Sequence, residues 1–338
     1  MKIITAKNMS DMCPNLAIGI DIGGTNTEYG IVNHRGEILM KGKIRTDGYD
    51  IVDRYIDELY LNLQPIIDTY RNQGNIIGIG IGAPNANYYK GIIEYAPNLR
   101  WKGVVNLAKL MSDKFELPCF LTNDANAAAL GEMIYGAARG LKDFIMITLG
   151  TGMGSGIVSN GRLVYGLDGY AGELGHTIIR RGGRKHWKTD LEGSLESYVS
   201  ATGVMLTALE MLDASDEESL MRSYERSEID SRLVYECAIK GDSIAKEVYR
   251  FTGQILGEAL ANFVMVTSPE AVILFGGVVN AGDLFLQPAR EHLEKNVLPL
   301  YKNKVKIIFS ELNEDAAILG ASTLVWDHAY QNAPAVNF

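Results

Sequence analysis

An α/β protein of two similar lobes is the fold class that this 338-residue sequence predicts. Two observations carry the prediction. A pattern of apolar strand, glycine turn and second strand occurs once from Leu16 (LAIGIDIGGTNTEYGIVN) and again from Asp143 (DFIMITLGTGMGSGIVSNGRLVYG). Elsewhere, short apolar strands alternate with helical stretches, the rhythm of a sheet with parallel pairing.

The elements follow in order. In the first region HRGEILMKGKI adds a turn and a third strand; in the second, Asn160-Gly161 supplies a hairpin turn before its third strand. Residues 51–71 carry helical periodicity, and Ile76 to Gly82 (IIGIGIG) reads as a buried strand. Residues 104–115 read as helix, 118–122 as a short strand, and 123–138 as an alanine-rich helix. Beyond Ser200 the chain turns mainly helical. Its acidic stretch from Asp213 to Asp230 reads as a solvated helical face, and 245–267 as one long helix. Strands at 271–275 and 305–309 and a helix at 315–328 complete the chain.

Composition narrows the function classes. Hydrophobic residues make up 47% and charged residues 22%, enough apolar material for a large core. A net charge of −9 argues against a nucleic-acid partner, which a basic face would mark. No run of 18 apolar residues predicts a membrane span, and the first 15 residues lack the apolar stretch of a secretory leader. Cys13, Cys119 and Cys237 fit neither a metal knuckle nor a redox pair, which suits a reducing, cytoplasmic setting.

Four constellations carry chemistry. Asp21-Ile22-Gly23-Gly24-Thr25 ends an apolar strand, and glycines there let backbone N–H groups approach a phosphate. Asp21 could hold Mg²⁺ through water. Gly150-Thr151-Gly152-Met153-Gly154-Ser155-Gly156 follows the corresponding strand of the second region. A dinucleotide fold would need a helix next, yet the chain continues as strand, and no GxxxxGK[ST] loop exists. Two glycine turns in repeated regions suit the two sides of a polyphosphate. Leu121-Thr122-Asn123-Asp124 ends a strand at a carboxylate, where a general base for phosphoryl transfer to an alcohol would stand; Asn123 or Asp124 as a plain helix cap is the structural alternative. Glu173 and His176 in GELGH, with Glu196 in GSLESY, supply the planar polar groups that take paired sugar hydroxyls.

Taken together, these motifs resemble the ROK family of sugar kinases within the actin-like ATPase superfamily. The ordered matches are DIGGT at 21–25, GAP at 82–84, APNL at 96–99, NDANAAALGE at 123–132, GTGMGSG at 150–156, GELGH at 172–176 and LFGG at 274–277. The resemblance implies two ribonuclease H-like lobes with a central cleft: residues 1–122, with a C-terminal helix at about 313–338 packing back on them, and residues 123–312. It implies an ATP-dependent hexose kinase, with glucose the leading substrate and O6 the attacked hydroxyl. N-acetylmannosamine, N-acetylglucosamine and fructose stand behind. Asp124 becomes the catalytic base; Asn98, Asn123, Glu173, His176 and Glu196 join it in sugar binding. Asp21, Gly23, Gly24, Thr25, Gly150, Thr151, Gly152, Gly154, Gly276 and Gly277 become the ATP site. A homodimer is the family's habit.

Three departures stand out. The family's zinc motif CxCGxxGCxE has lost its cysteines: counted back from Glu196, Trp187, Thr189 and Ser194 fill their places; His176 and His186 remain, but two histidines do not close a tetrahedral site, so no structural zinc is expected. Arg180, Arg181, Arg184, Lys185 and Lys188 fill that loop instead, as solvated surface, salt-bridge partners or a contact for an acidic subunit. Asn26 replaces the usual Lys after DIGGT, and the GAP loop continues as NANYYKGIIEY. The rival functions are a sugar-responsive repressor, disfavoured because only about 15 residues precede the first strand, a sugar-binding module without catalysis, and a polyphosphate-using kinase.

Overall fold

The computed structural model describes residues 15–331; Cys13, the remainder of the N-terminal 14 residues and residues 332–338 lie outside them. The chain divides into two compact units. Of the described residues, the first contains 15–140, Tyr165–Ala171 and 311–331; the second contains Leu141–Val164 and Gly172–Ser310.

In the first unit β1 (Asn15–Ile22), β2 (Asn26–Asn33) and β3 (Ile38–Arg45) form an antiparallel meander. After α1 (Val52–Arg71), β4 (Asn75–Ala83) returns parallel to β1. A small sheet of β5 (Ala86–Asn87), β6 (Ile92–Glu94) and β7 (Val104–Val105) follows, then α2 (Leu107–Phe115), β8 (Cys119–Asn123) and α3 (Asp124–Tyr135). The main sheet runs β3-β2-β1-β4-β8. Strict alternation on β1 sends Leu16, Ile18, Ile20 and Ile22 into one core with Tyr55, Leu59, Leu63 and Ile67 of α1. Ala17 faces the other way, onto Val325 and Trp326 of the last helix.

The second unit repeats the plan. β9 (Phe144–Leu149), β10 (Met153–Ser159) and β11 (Arg162–Leu163) are antiparallel. Next come α4 (Ala201–Ala214), α5 (Ser231–Ile239), α6 (Ser243–Thr267), β12 (Ala271–Phe275), α7 (Asp283–Asn296) and β13 (Lys306–Phe309). The order β11-β10-β9-β12-β13, with β12 parallel to β9, is the order of the first unit. The duplication read in the sequence is therefore a duplicated ribonuclease H-like topology. Asn160 (φ 52°) and Gly161 (φ 72°) make the predicted hairpin turn.

The final helix, α8 (Ala316–Gln331), belongs to the first unit. Glycines permit its close approach. Gly80 lacks the Cβ that would collide with the Ala321 carbonyl, and Gly320 lies against the Ala127 backbone of α3. Glu132, fully buried on α3, accepts from the amides of Ala137 (2.7 Å) and Leu312 (3.2 Å), tying the end of α3 to the segment that enters α8.

Three local expectations are corrected. The acidic stretch is not a helical face: α4 stops at Ala214, and two 3₁₀ turns, Leu220–Ser223 and Arg226–Glu228, replace it. Arg222 takes up the free carbonyls of Leu212 and Glu217, and Asp242 caps α6 while accepting from Ser219 and Leu220, so side chains satisfy this segment without a helix. The predicted helix at 104–115 begins only at Leu107, because Val104 and Val105 pair with Glu94 and Ile93. The predicted helix at 123–138 ends at Tyr135, before Gly136.

Candidate functional site

The first unit gathers the acidic groups at the C-terminal ends of its central strands. Asp21 is the penultimate residue of β1, level with Gly82 on β4, and Asp124 follows β8 directly as the first residue of α3. Gly82 borders both: a Cβ there would stand at ordinary contact distance from the Asp124 Cα (3.5 Å) and Asp21 Oδ1 (3.9 Å), and closer, at 3.0 Å, to the Ala127 Cβ of α3. Burial and the nearby Asp124 charge push Asp21 up to about 7. Burial also raises Asp124, against the Ala125 N–H that its Oδ1 accepts at 2.8 Å. Asn123 is the helix cap: its Oδ1 accepts from Ala125 at 2.9 Å, which leaves its amide NH₂ to donate elsewhere. The cap reading and the binding reading thus hold together.

The first glycine turn closes by a bond from the Gly23 N–H to the Asn26 carbonyl at 2.9 Å. Its neighbour is the APNL segment: a Cβ on Gly24 would meet the Asn98 carbonyl at 2.9 Å. Asn98 and Thr25 are exposed beside this turn, and the Thr25 carbonyl accepts from Thr46 at 2.8 Å. The structure therefore places Asp21, Gly23, Gly24, Thr25, Asn98, Asn123 and Asp124 at one end of one sheet.

The second unit assembles the other set. Its glycine turn closes from the Gly150 N–H to the Gly152 carbonyl at 3.0 Å; Thr151 accepts from Thr202 at 2.8 Å, and Gly154 continues into β10. Gly276 holds φ 116° against the Leu149 backbone, which brings the Gly276-Gly277 turn beside Gly150; no other residue adopts that conformation without strain. Glu196 is the hub. Its Oε2 accepts from the Met153 N–H at 2.6 Å, and a Cβ on Gly152 would meet the same carboxylate. Its Oε1 lies 2.5 Å from His186 Nε2. His176 Nε2 lies 3.7 Å from the exposed Glu173 carboxylate, and the His176 and His186 rings are 5.7 Å apart.

Several contributors carry no signal in the sequence. The Met153 amide is a backbone feature. His186 is visible in the sequence as a histidine of the basic loop, but neither its burial nor its contact with Glu196 is. Arg184 looks like a surface cation, yet its side chain is 8% exposed.

The profile described as ROK family matches residues 17–328. This chain belongs to the ROK family. It is 35% identical to a glucokinase of Halalkalibacterium halodurans over 315 residues, 91% of this chain and 94% of that one. It is also 28% identical to a xylose repressor of Caldicellulosiruptor bescii, over 91% of this chain and 77% of the repressor. Among solved structures, the ROK family glucokinase from Streptomyces griseus in complex with glucose and AMPPNP superposes with a TM-score of 0.76 at 29% identity, covering 92% and 99% of the two chains. The fold is that of the actin-like ATPases, as the paired sheet order already indicated.

The residues at the ROK zinc positions do not suit zinc. Ser194 is fully buried and bonded to Ser197 (2.7 Å), Trp187 stacks on His186 with centroids 4.2 Å apart, and Thr189 Oγ1 accepts from Leu191. Among the described residues, His176, His186 and Glu196 do bring three ligand-type atoms within 4.8 Å, one group more than the two histidines legible in the sequence. The second histidine is, however, already committed. Nδ1 of His186 accepts the N–H groups of Lys188 and Thr189, both at 3.1 Å. A neutral imidazole that accepts at Nδ1 carries its proton on Nε2, and a protonated nitrogen has no lone pair for a metal.

The basic loop is held by side chains. Arg184 donates to both oxygens of Glu210 (2.7 and 2.6 Å), to the Ser197 and Gly203 carbonyls and to Thr207 (3.0 Å), and its guanidinium lies 4.7 Å over the Tyr198 ring. Arg180 pairs with Glu258. Both were candidates for solvated surface; Arg184 is instead the loop's anchor.

Proposed function

We propose that this ROK protein is an ATP-dependent hexose kinase in which Asp124 is the general base. The observation that carries the reading is Asp124 itself: a half-buried carboxylate with a raised proton affinity, at a strand end beside a second carboxylate and a glycine turn. Such a group accepts a hydroxyl proton more readily than an ordinary surface aspartate. Asn98, Asn123, Glu173, His176 and Glu196 are assigned to sugar hydroxyls. The turns at Gly23-Gly24-Thr25, Gly150–Gly154 and Gly276-Gly277 are assigned to the nucleotide, their backbone N–H groups taking the place of the basic side chain that Asn26 does not supply.

Magnesium fits the same reading. Two neighbouring carboxylates, one with its proton affinity raised to about 7 by burial and by the other's charge, form a site that a divalent cation relieves; Asp21 would hold it through water. The cation supplies charge neutralisation on the transferred phosphoryl group. Asp124 takes the hydroxyl proton, and Asn123 orients the sugar through its free amide hydrogens.

Glucose is the leading substrate and O6 the leading position, supported by the glucokinase relatives; N-acetylhexosamines and fructose are the competing substrates. The test is a coupled ADP-release assay with Mg-ATP across hexoses and N-acetylhexosamines. Asp124→Asn is expected to lower kcat by about 10²–10⁴-fold with sugar affinity nearly unchanged. Full activity in that variant removes the base assignment. A silent panel with sugar binding still visible by calorimetry favours the second reading, a sugar-responsive regulator, for which the repressor relative speaks.

A further inference from the structure

We propose that His186 is the positioning residue of Glu196, and that a hydrogen-bonded clamp, not a metal, organises the 177–195 loop of this chain. The inference deepens the reading above, since it rests on Glu196 binding the sugar.

The clamp is built in three steps. Backbone donors come first: the amides of Lys188 and Thr189 converge on Nδ1 of His186 and leave Nε2 as the protonated nitrogen. That Nε2–H then donates to Glu196 Oε1 at 2.5 Å, while the Met153 N–H donates to Oε2 at 2.6 Å. Each carboxylate oxygen thus has one fixed donor, and the carboxylate plane cannot rotate without breaking one. The remaining lone pairs stay free for hydroxyl groups. Finally, the loop that presents His186 is pinned from both sides. Arg184, two residues earlier, is buried against Tyr198, Glu210 and two backbone carbonyls, and the Arg184 carbonyl accepts from Gly193 at 2.8 Å. Trp187 covers the imidazole face.

The clamp also links two parts of the site. Met153 follows the turn Gly150–Gly152, so one carboxylate joins the His186 loop to the second glycine turn. Sugar binding at Glu196 and the shape of that turn are mechanically connected through a single side chain. Glu196 is held tightly enough for this, at 13% exposure, and Ser200 Oγ fixes its backbone by donating to the Glu196 carbonyl at 2.8 Å.

The test uses the full chain and three readouts. Nitrogen-15 shifts of the histidine rings, with His186→Gln to assign the signal, are expected to show His186 as the Nε2–H tautomer; an Nδ1–H tautomer overturns the clamp. Metal analysis after expression with added zinc, followed by calorimetric titration with ZnCl₂, is expected to find well under one zinc per chain. One tightly held zinc per chain that His186→Gln abolishes overturns the proposal and makes His176, His186 and Glu196 ligands. In steady-state kinetics His186→Leu is expected to raise the sugar KM about 10- to 100-fold, the worth of a hydrogen bond to a charged group, with kcat changed less than about threefold. His186→Gln, which keeps an N–H near the Nε2 position, is expected to recover most of the affinity. A loss confined to kcat, or equal loss in both variants, overturns the positioning role. If no sugar turns over, the kinase reading fails by itself, and the tautomer and zinc readouts still decide the clamp.

Discussion

Asp21 and Asp124 are two carboxylates whose proton affinities are set by the same burial and, for Asp21, by the charge of its neighbour. A base works only when ionised, and the raised value delays ionisation. The carboxylate assigned to magnesium, Asp21, must be ionised too, so in the free enzyme kcat/KM is expected to fall as pH drops below about 7, where Asp21 takes up its proton, well above the range of an ordinary aspartate. A pH–rate profile flat between about 5 and 8 would contradict the coupling. The four residues of LTND show how far local sequence reaches. A strand ending in a carboxylate before an alanine-rich helix is visible as text. That Asn123 caps the helix with one end of its amide and leaves the other free is a matter of rotamer.

Among elements, the 177–195 loop shows most clearly what side-chain burial decides. Five basic residues in a loop read as solvated charge, and for Lys185 and its partner Asp190 that is what they are. Arg184 departs because Tyr198, Ser197 and Thr207 enclose it. Replacing it with Met strands the Ser197 carbonyl, at a cost of about 1–3 kcal/mol, whereas the Gly203 carbonyl keeps the Thr207 hydroxyl. The ion pair itself adds less, since Glu210 is 61% exposed and rehydrates. Arg184→Met is thus expected to lower the melting temperature and to admit trypsin at Arg180, Arg181 or Lys185. Unchanged melting and unchanged cleavage would return the arginine to the status of a surface residue. The acidic stretch 213–230 teaches the converse: charge patterning suggested a helix, but Arg222 and Asp242 satisfied the backbone in another way.

At the scale of the whole molecule, each unit carries its own copy of the sheet, and the acidic pair of the first unit weighs on stability. Asp21 rises from an ordinary 3.8 to about 7 on folding, so the folded chain binds this proton more tightly than the unfolded one. The stabilisation is fully present below about pH 4 and is lost as pH rises through about 7. Without ligands, the Asp21 contribution to stability is expected to decline between those limits, and Asp124→Asn, which removes a charge that raises Asp21, is expected to flatten the decline. Denaturant titrations of both proteins at several pH values check this; parallel curves would show that the two carboxylates do not communicate. None of the described helices is long and apolar enough to cross a membrane.

By itself the sequence determined the repeated strand–turn–strand plan, the strand ends that carry Asp21 and Asp124, and the two glycine turns. These are local: alternation sets the strands, and glycine or Asn-Gly sets the turns within a few residues. Only the tertiary structure decided that Asp21 and Asp124 come together beside Gly82, that Gly80 and Gly320 admit the last helix, and that Arg184 is buried. It also decided that two backbone amides select the tautomer with which His186 holds Glu196. Each of these depends on which atoms distant segments bring within bonding range, and neither spacing nor composition along the chain encodes that directly.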